Sequence, residues 1–426
     1  MRIAFSCPSV PGHLHPMTAL ARKLREHDHE VFFLCLAEAE PMVRAAGLDF
    51  LPYGDALFPP GEYPRRLRLL SQLSGAEALQ FTMDLFADVC RAGLQDGERV
   101  LRQSRPDALV LDSTTRGLNL VAAHLNLPFV HVSNALHFDL SGHAPLCMYD
   151  WPHQSGPEGF ARNIEGTKAF LKIFAPILAL ERDYIARVGL PVEVENPMPY
   201  RSTLAQLTQT PKEFDFPSDH WPSYFHHTGP WHDPSLRPSV DFPWDKLTGE
   251  PLIYASMGTL QNGSERIFEA IVAAAQAPGR QLVLSIGKNL DPEKIGPLSA
   301  TTLVVRSAPQ LEVLKRASLC ITHAGLNTAL ESLTAGVPMV AIPVTNDQPG
   351  VGARIAHTGT GVVVPLKTAM SESAVEKLRE AIETVLTDGF YRGNAKRIQQ
   401  AIERTNGLGI AADLIDRTLR RAVRPA

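Results

Sequence analysis

The strongest constraint in this chain is an alternation that runs twice. Short apolar stretches are each followed by a segment with apolar residues at helical spacing. Residues 2–7 (RIAFSC) read as a buried strand; Met17, Leu20, Ala21 and Leu24 then recur at i, i+3, i+4 and i+7; residues 30–36 (EVFFLCL) form a second apolar run. Strand, helix, strand in so short a span is a βαβ unit, whose crossover makes the two strands parallel. The pattern returns at residues 107–112, 117–125 and 128–134. Residues 193–250 break it, being dense in proline and aromatic residues and without helical period, and read as a linker or surface excursion stiffened by proline. The alternation then restarts with runs at 251–257, 281–287, 302–307, 319–323, 338–343 and 361–366. Helical patterns at 265–276, 309–317, 327–335 and 371–386 lie among or after these runs, and Ser373 and Glu376 are placed for a capping box in the last of them.

A chain of 426 residues is too long for one hydrophobic core and suits two α/β domains with a cleft between them. With 44% apolar and 20% charged residues it has the balance of a globular protein, and a formal net charge of -4 offers nothing to nucleic acid. Five scattered cysteines with no C-x-x-C spacing predict reduced thiols in a cytoplasm, without a disulfide framework or structural zinc. The first apolar run is too short for a signal peptide, and no later one is long enough for stable membrane insertion. The basic segment RTLRRAVRP near the C-terminus reads as a solvated helix end.

Chemistry concentrates in residues 308–348, APQLEVLKRASLCITHAGLNTALESLTAGVPMVAIPVTNDQ. An apolar run stops at His323, Gly325 is expected to supply a tight bend, and a helix is expected from about Asn327. Open α/β sheets bind ligands beyond the carboxyl ends of their strands, and a helix start there presents bare N–H groups and partial positive charge suited to phosphate. Asn327, Thr328 and His323 can add donors. Glu331 accepts only, so it suits ribose hydroxyls rather than phosphate. Gly336 closes the helix, and the next strand delivers Asp347 and Gln348 to the same rim, where a carboxylate beside an amide suits vicinal sugar hydroxyls.

This order of His, Gly, Thr, Glu, Gly-x-Pro and Asp-Gln resembles the donor-binding signature of the UDP-glycosyltransferase family, whose members include bacterial macrolide, carotenoid and flavonoid glycosyltransferases. VPGHLHP near the N-terminus and LVLDS at residues 109–113 resemble the family as well, so the likeness covers most of the chain. The resemblance implies a GT-B fold, two Rossmann-like domains with parallel sheets facing across a cleft. An acceptor-binding domain would span residues 1–229, a linker 230–250 and a donor-binding domain 251–405. A C-terminal helix at 406–426 would cross back to the first domain.

By the same resemblance His323 and the Asn327–Thr328 helix start would hold the diphosphate, and Gly325 between them would be among the donor-binding residues. Gln310 would meet the nucleobase, Glu331 the ribose, and Asp347 with Gln348 the transferred sugar, and Ala308 would be among the donor-binding residues. Gly12, Gly258 and Thr259 would also face the donor, the last two in a loop resembling the first of the family's donor domain. Plant members carry a tryptophan where this chain has Ser307, which leaves uridine and thymidine diphosphate sugars both open.

A glycosyl acceptor hydroxyl needs a base to become a nucleophile. His13, between Gly12 and a helix expected to begin near Pro16, can serve at cellular pH, and Asp112 at a strand end can orient the ring and stabilise the imidazolium. His15 is the rival base. Phe58, Phe138, Met148 and Trp151 are expected to offer an apolar slot to a small hydrophobic hydroxylated acceptor.

No metal is expected, there being no D-x-D, and no cofactor, the nucleotide sugar being a co-substrate. The expectation is an inverting hexosyltransferase acting as a monomer or weak dimer. A nucleotide-sugar epimerase of the same architecture is the alternative, and a catalytically silent nucleotide-sugar binder a third. A dinucleotide-dependent dehydrogenase fails because neither domain opens with G-x-G-x-x-G.

Overall fold

The computed structural model describes residues 1–192, 198, 200–237, 239–258, 265–287 and 290–423. Seven strands make the first sheet: β1 (Arg2–Ser6), β2 (Glu30–Cys35), β3 (Asp49–Pro52), β4 (Ala108–Asp112), β5 (Phe129–Ser133), β6 (Gln206–Thr208) and β7 (Phe225–His227). They lie in the order β3-β2-β1-β4-β5-β6-β7, every neighbouring pair parallel. The second sheet contains β8 (Leu252–Ser256), β9 (Gln281–Ser285), β10 (Thr302–Val305), β11 (Ala317–Thr322), β12 (Met339–Ala341) and β13 (Gly361–Val363). Its order is β10-β9-β8-β11-β12-β13, also parallel throughout. Helices cover both faces, so the central strands are apolar without alternation: Val110, Leu111, Ile253 and Ile321 are fully buried.

The C-terminal helix Gly407–Val423 returns to the first domain. Its Ala411, Ala412, Ile415 and Leu419 join one core with Leu14, Met17, Leu20 and Leu24 of the helix Pro11–Arg25. His29 Nε2 and Asp416 Oδ1, 2.6 Å apart, and Arg420 Nη2 donating to the His27 carbonyl at 3.0 Å secure the same contact. All five cysteines are buried and unpaired. Among the described residues no helix is long and apolar enough to cross a membrane.

Three sequence expectations are corrected. The stretch 193–250 is more than a linker, because β6 and β7 within it extend the first sheet. Each has three residues, too few for a strand period to show among prolines. The first helix begins at Pro11 rather than near Pro16, so His13 lies in its first turn and Pro16 inside it. The capping box does not form: Ser373 has φ -85° and ψ 8°, its side chain makes no cap bond, and its hydroxyl lies 3.0 Å from that of Ser371.

Candidate functional site

Each sheet reverses its strand order once, between β1 and β4 in the first and between β8 and β11 in the second. A crevice opens at such a point, beyond the carboxyl ends of the two strands. His13 and Asp112 follow and end β1 and β4; Gly258 and His323 follow β8 and β11. The four residues therefore occupy equivalent places in the two domains.

At the first crevice His13 Nδ1 is 2.7 Å from Asp112 Oδ2. Asp112 is fully buried, yet its carboxylate is well supplied with donors: Oδ2 also accepts from Asn134 Nδ2 at 2.6 Å, and Oδ1 from the Thr114 N–H at 2.8 Å and hydroxyl at 2.6 Å. Burial works against both charged forms. The Asp112 charge and hydrogen bond nevertheless raise the His13 pKa above its ordinary value. Against the same burial, His13 and the Thr114 donors hold Asp112 below the usual carboxylate range. With Nδ1 committed to Asp112, Nε2 is the nitrogen left to take a proton, and the side chain is 18% exposed. His15 lacks such a partner: burial, aided by the Arg237 charge, lowers it to about 4.

At the second crevice the His323 ring is wedged between two glycines. A Cβ at Gly325 would lie 2.4 Å from Nε2, and one at Gly258 2.5 Å from Nε2 and Cε1. Burial lowers His323 to about 4, so the ring is neutral and can donate one N–H. Gly325 does not make the bend expected of it. It has φ -64° and ψ 132°, while fully buried Ala324 takes the left-handed turn at φ 62°. Glycine is needed at 325 for room beside the imidazole. The helix Leu326–Thr334 opens directly after it.

Glu331, on that helix, is 2% exposed. Its Oε1 accepts from Arg237 Nη2, and its Oε2 from Gln310 Nε2 at 2.6 Å. Gln310 also lies 3.4 Å from the Thr328 hydroxyl and accepts from Tyr254 at 2.9 Å. Ser307 is exposed and Ala308 half-buried beside this group.

Asn327 points away from its own helix start to the first domain, where Nδ2 donates to the Gly12 carbonyl at 2.6 Å. A Cβ at Gly12 would meet Asn327 at an ordinary 3.7 Å, so this glycine answers no steric demand. Asp347 also crosses the cleft, accepting the Leu136 N–H at 2.8 Å. Burial raises its pKa, only partly offset by that bond and by His13. Gln348 turns its Oε1 back on the Val344 and Thr345 N–H groups, at 2.8 and 3.0 Å. Thr259 lies outside the described residues.

The four apolar residues expected at the acceptor are engaged by protein neighbours. Phe58, 2% exposed, packs on Tyr63 under the Arg66 guanidinium. Phe138 lies against Phe170, and Trp151 stacks on Tyr149 at 4.0 Å beneath Arg162, while Met148 is half-buried on the same core. A groove of about 790 Å³ lined by Lys212, Phe216, His357, Phe390 and Arg397 contains none of the residues above. Among the described residues no three His, Cys, Asp or Glu side chains are grouped to hold a metal ion. Asn134, Gln209 and Arg237 escape sequence reasoning, since none stands in a motif, whereas Thr114 directly follows the LVLDS stretch. The one local signal among those three is the placement of Asn134 just after β5.

The pattern defining the UDP-glucoronosyl and UDP-glucosyl transferase family matches residues 189–404, half of the chain. The chain is 29% identical over 424 residues to the zeaxanthin glucosyltransferase of Pantoea ananas, covering 97% of this chain and 94% of that protein. Its fold is similar to that of the crystal structure of the glycosyltransferase of kitacinnamycin, with TM-score 0.76, 23% identity and 98% of each chain covered. It is similar also to the glycosyltransferase VinC in complex with dTDP, with TM-score 0.67, 19% identity, and 99% of this chain and 100% of that one covered. Both are glycosyltransferases of the GT-B architecture, and the two parallel sheets described above share it.

Proposed function

Since the chain belongs to the UDP-glucoronosyl and UDP-glucosyl transferase family and is thus a glycosyltransferase, we propose that it moves a hexose or deoxyhexose from a UDP- or dTDP-sugar to a hydroxyl of a small lipophilic acceptor. The acceptor class is a flavonoid, phenol, macrolide or terpenoid, and its relative in Pantoea ananas is named for zeaxanthin, itself a hydrophobic alcohol. The observation that carries the reading is the hydrogen-bonded His13–Asp112 pair at one sheet's reversal point and the His323 cradle at the other's, with Asn327 bonded to Gly12 between the two.

In this mechanism His13 Nε2 takes the acceptor hydroxyl proton as the oxygen attacks the anomeric carbon. The new C–O bond forms while the bond to the diphosphate breaks on the opposite face, with inversion. Asp112 orients the ring and stabilises the imidazolium. The departing diphosphate carries the bond's electrons away, and its charge meets the N–H groups that open the Leu326–Thr334 helix and the neutral His323 N–H. This electrostatic arrangement serves without a metal or a cofactor. Gln310 lies by the nucleobase and Glu331 by the ribose, where Arg237 and Gln310 share the carboxylate with the sugar hydroxyls. Asp347 and Gln348 face the transferred sugar. Exposed Ser307 in place of a stacking ring suits either pyrimidine.

The test is incubation with UDP-glucose, UDP-galactose, dTDP-glucose and dTDP-rhamnose against a panel of flavonols, phenols, macrolides and hydroxylated terpenoids, read by mass spectrometry. A hexose or deoxyhexose increment with wild type, lost in His13→Ala with nucleotide binding retained, is the expected result. Interconversion of the donor sugars without any acceptor would replace this reading with an epimerase.

A further inference from the structure

Asn327 sits in the first turn of the donor-domain helix Leu326–Thr334, and both the nitrogen and the oxygen of its carboxamide bond to the other domain. Nδ2 donates to Gly12 O at 2.6 Å, and Oδ1 accepts from Gln209 Nε2 at 2.8 Å. Gln209 is fully buried and gives its second Nε2 hydrogen to the Asn134 carbonyl at 3.0 Å. Asn134, 1% exposed, donates from Nδ2 to Asp112. Two routes therefore run from Asn327 to the dyad: one through the peptide that joins Gly12 to His13, the other through Gln209 and Asn134 to Asp112.

The orientation of these amides is dictated. Two of the contacts end on backbone carbonyls, which only accept, so the nitrogen of each carboxamide must face them. Gln209 then has one N–H over, and the Asn327 oxygen is what it meets. Asn134 Oδ1 and Gln209 Oε1 are buried and accept nothing from the described residues, so among these the N–H donations hold the network.

The Gly12 carbonyl is available for a reason written in the chain. In a regular helix it would accept from the N–H of residue 16, which is proline and has none. The proline that interrupts the helix ladder leaves an acceptor on the residue before His13, directed at the other domain.

We propose that Gln209 and the Asn327 carboxamide form a latch that sets the distance from His13 to the anomeric carbon by tying the base-bearing helix to the donor-binding helix. Gln209 is a positioning residue: it touches neither substrate nor the reacting atoms. The proposal rests on the sugar-transfer reading above and deepens it.

Two variants test it. Gln209→Met keeps the length of the side chain and removes both donations. Pro16→Ala supplies the missing N–H, which competes with Asn327 for the Gly12 carbonyl and favours the helix. Because a misplacement of about 1 Å can cost about 10²-fold in rate, kcat in each folded variant is expected to fall about 10- to 100-fold. The Kd for UDP or dTDP by calorimetry should stay within about twofold, which is the kcat-against-binding split of a residue acting only in the reacting arrangement. The acid limb of the pH profile should not move, since the dyad itself is intact.

A second readout needs no turnover. Spin labels on cysteines introduced at exposed Glu26 and Glu372, one in each domain, should give a narrow distance distribution in the parent and a broader one in both variants. The latch is overturned if both distributions match the parent, if kcat stays within about twofold of wild type, or if nucleotide affinity falls as far as kcat does. If Gln209→Met does not fold, Pro16→Ala decides by the same criteria. A wild-type protein that transfers no sugar overturns the sugar-transfer reading instead, and the label distances still judge the latch as a contact between domains.

Discussion

His13 and His323 are the same residue at corresponding crevices of two sheets that share their strand order apart from the extra edge strand β7, and they carry opposite electrical assignments. His13 is backed by a buried carboxylate that overcomes desolvation and raises its pKa. His323 is backed by two glycines and, among the described residues, no carboxylate, so desolvation wins and leaves it near 4. One imidazole is suited to accept a proton, the other to stay neutral and donate a hydrogen bond. The strand end supplies only the location; the neighbour behind the ring sets the chemistry.

The contrast can be broken most heavily at His13. In His13→Ala kcat is expected to fall about 10²- to 10⁴-fold with nucleotide affinity unchanged, measured by initial rates and calorimetry. Asp112→Asn should sharpen it. The proposed base would work when neutral, so kcat/KM should be lost as the pH falls through the His13 pKa, which the Asp112 charge raises in the wild type. Removing the carboxylate takes away the charge that raises that value, so the acid limb should move to lower pH while the plateau drops on the order of 10-fold or more.

On the donor side, Gly325→Ala drives a methyl group into the His323 ring without straining the backbone, whose φ of -64° suits any residue. Overpacking of this kind costs about 1–3 kcal/mol of stability, to be read by denaturant unfolding, and the displaced ring should weaken UDP or dTDP binding by calorimetry while the acid limb stays in place. The smallest effect is a titration. In the nucleotide-free protein the His13 ring resonances should titrate at higher pH than those of an ordinary imidazole, while those of His323 stay constant down to about pH 5.

Much of this was legible before any coordinates. His13, Asp112 and His323 each follow or end a strand that its own apolar run announces, and in a parallel sheet such ends share a rim. Gly325 was legible as a required glycine, but the reason was not. Its φ is ordinary, and the demand comes from a side chain two residues back folding over it. Pro16 read as a helix start because proline is common there; the chain enters the helix five residues earlier and spends the proline on freeing a carbonyl. Arg237, within a proline-rich stretch, gave no sign of reaching Glu331.

By itself the sequence determined two parallel α/β units and the residue types at most of their strand ends, because helical and strand periods are local and repeat within a few positions. Tertiary structure alone decided which imidazole is basic, where Asn327 points, and that Gln209 belongs to the site. Protonation depends on which buried charge comes within hydrogen-bonding distance. The pairing of residues 12, 209 and 327 depends on how two domains meet, and no spacing along the chain records either.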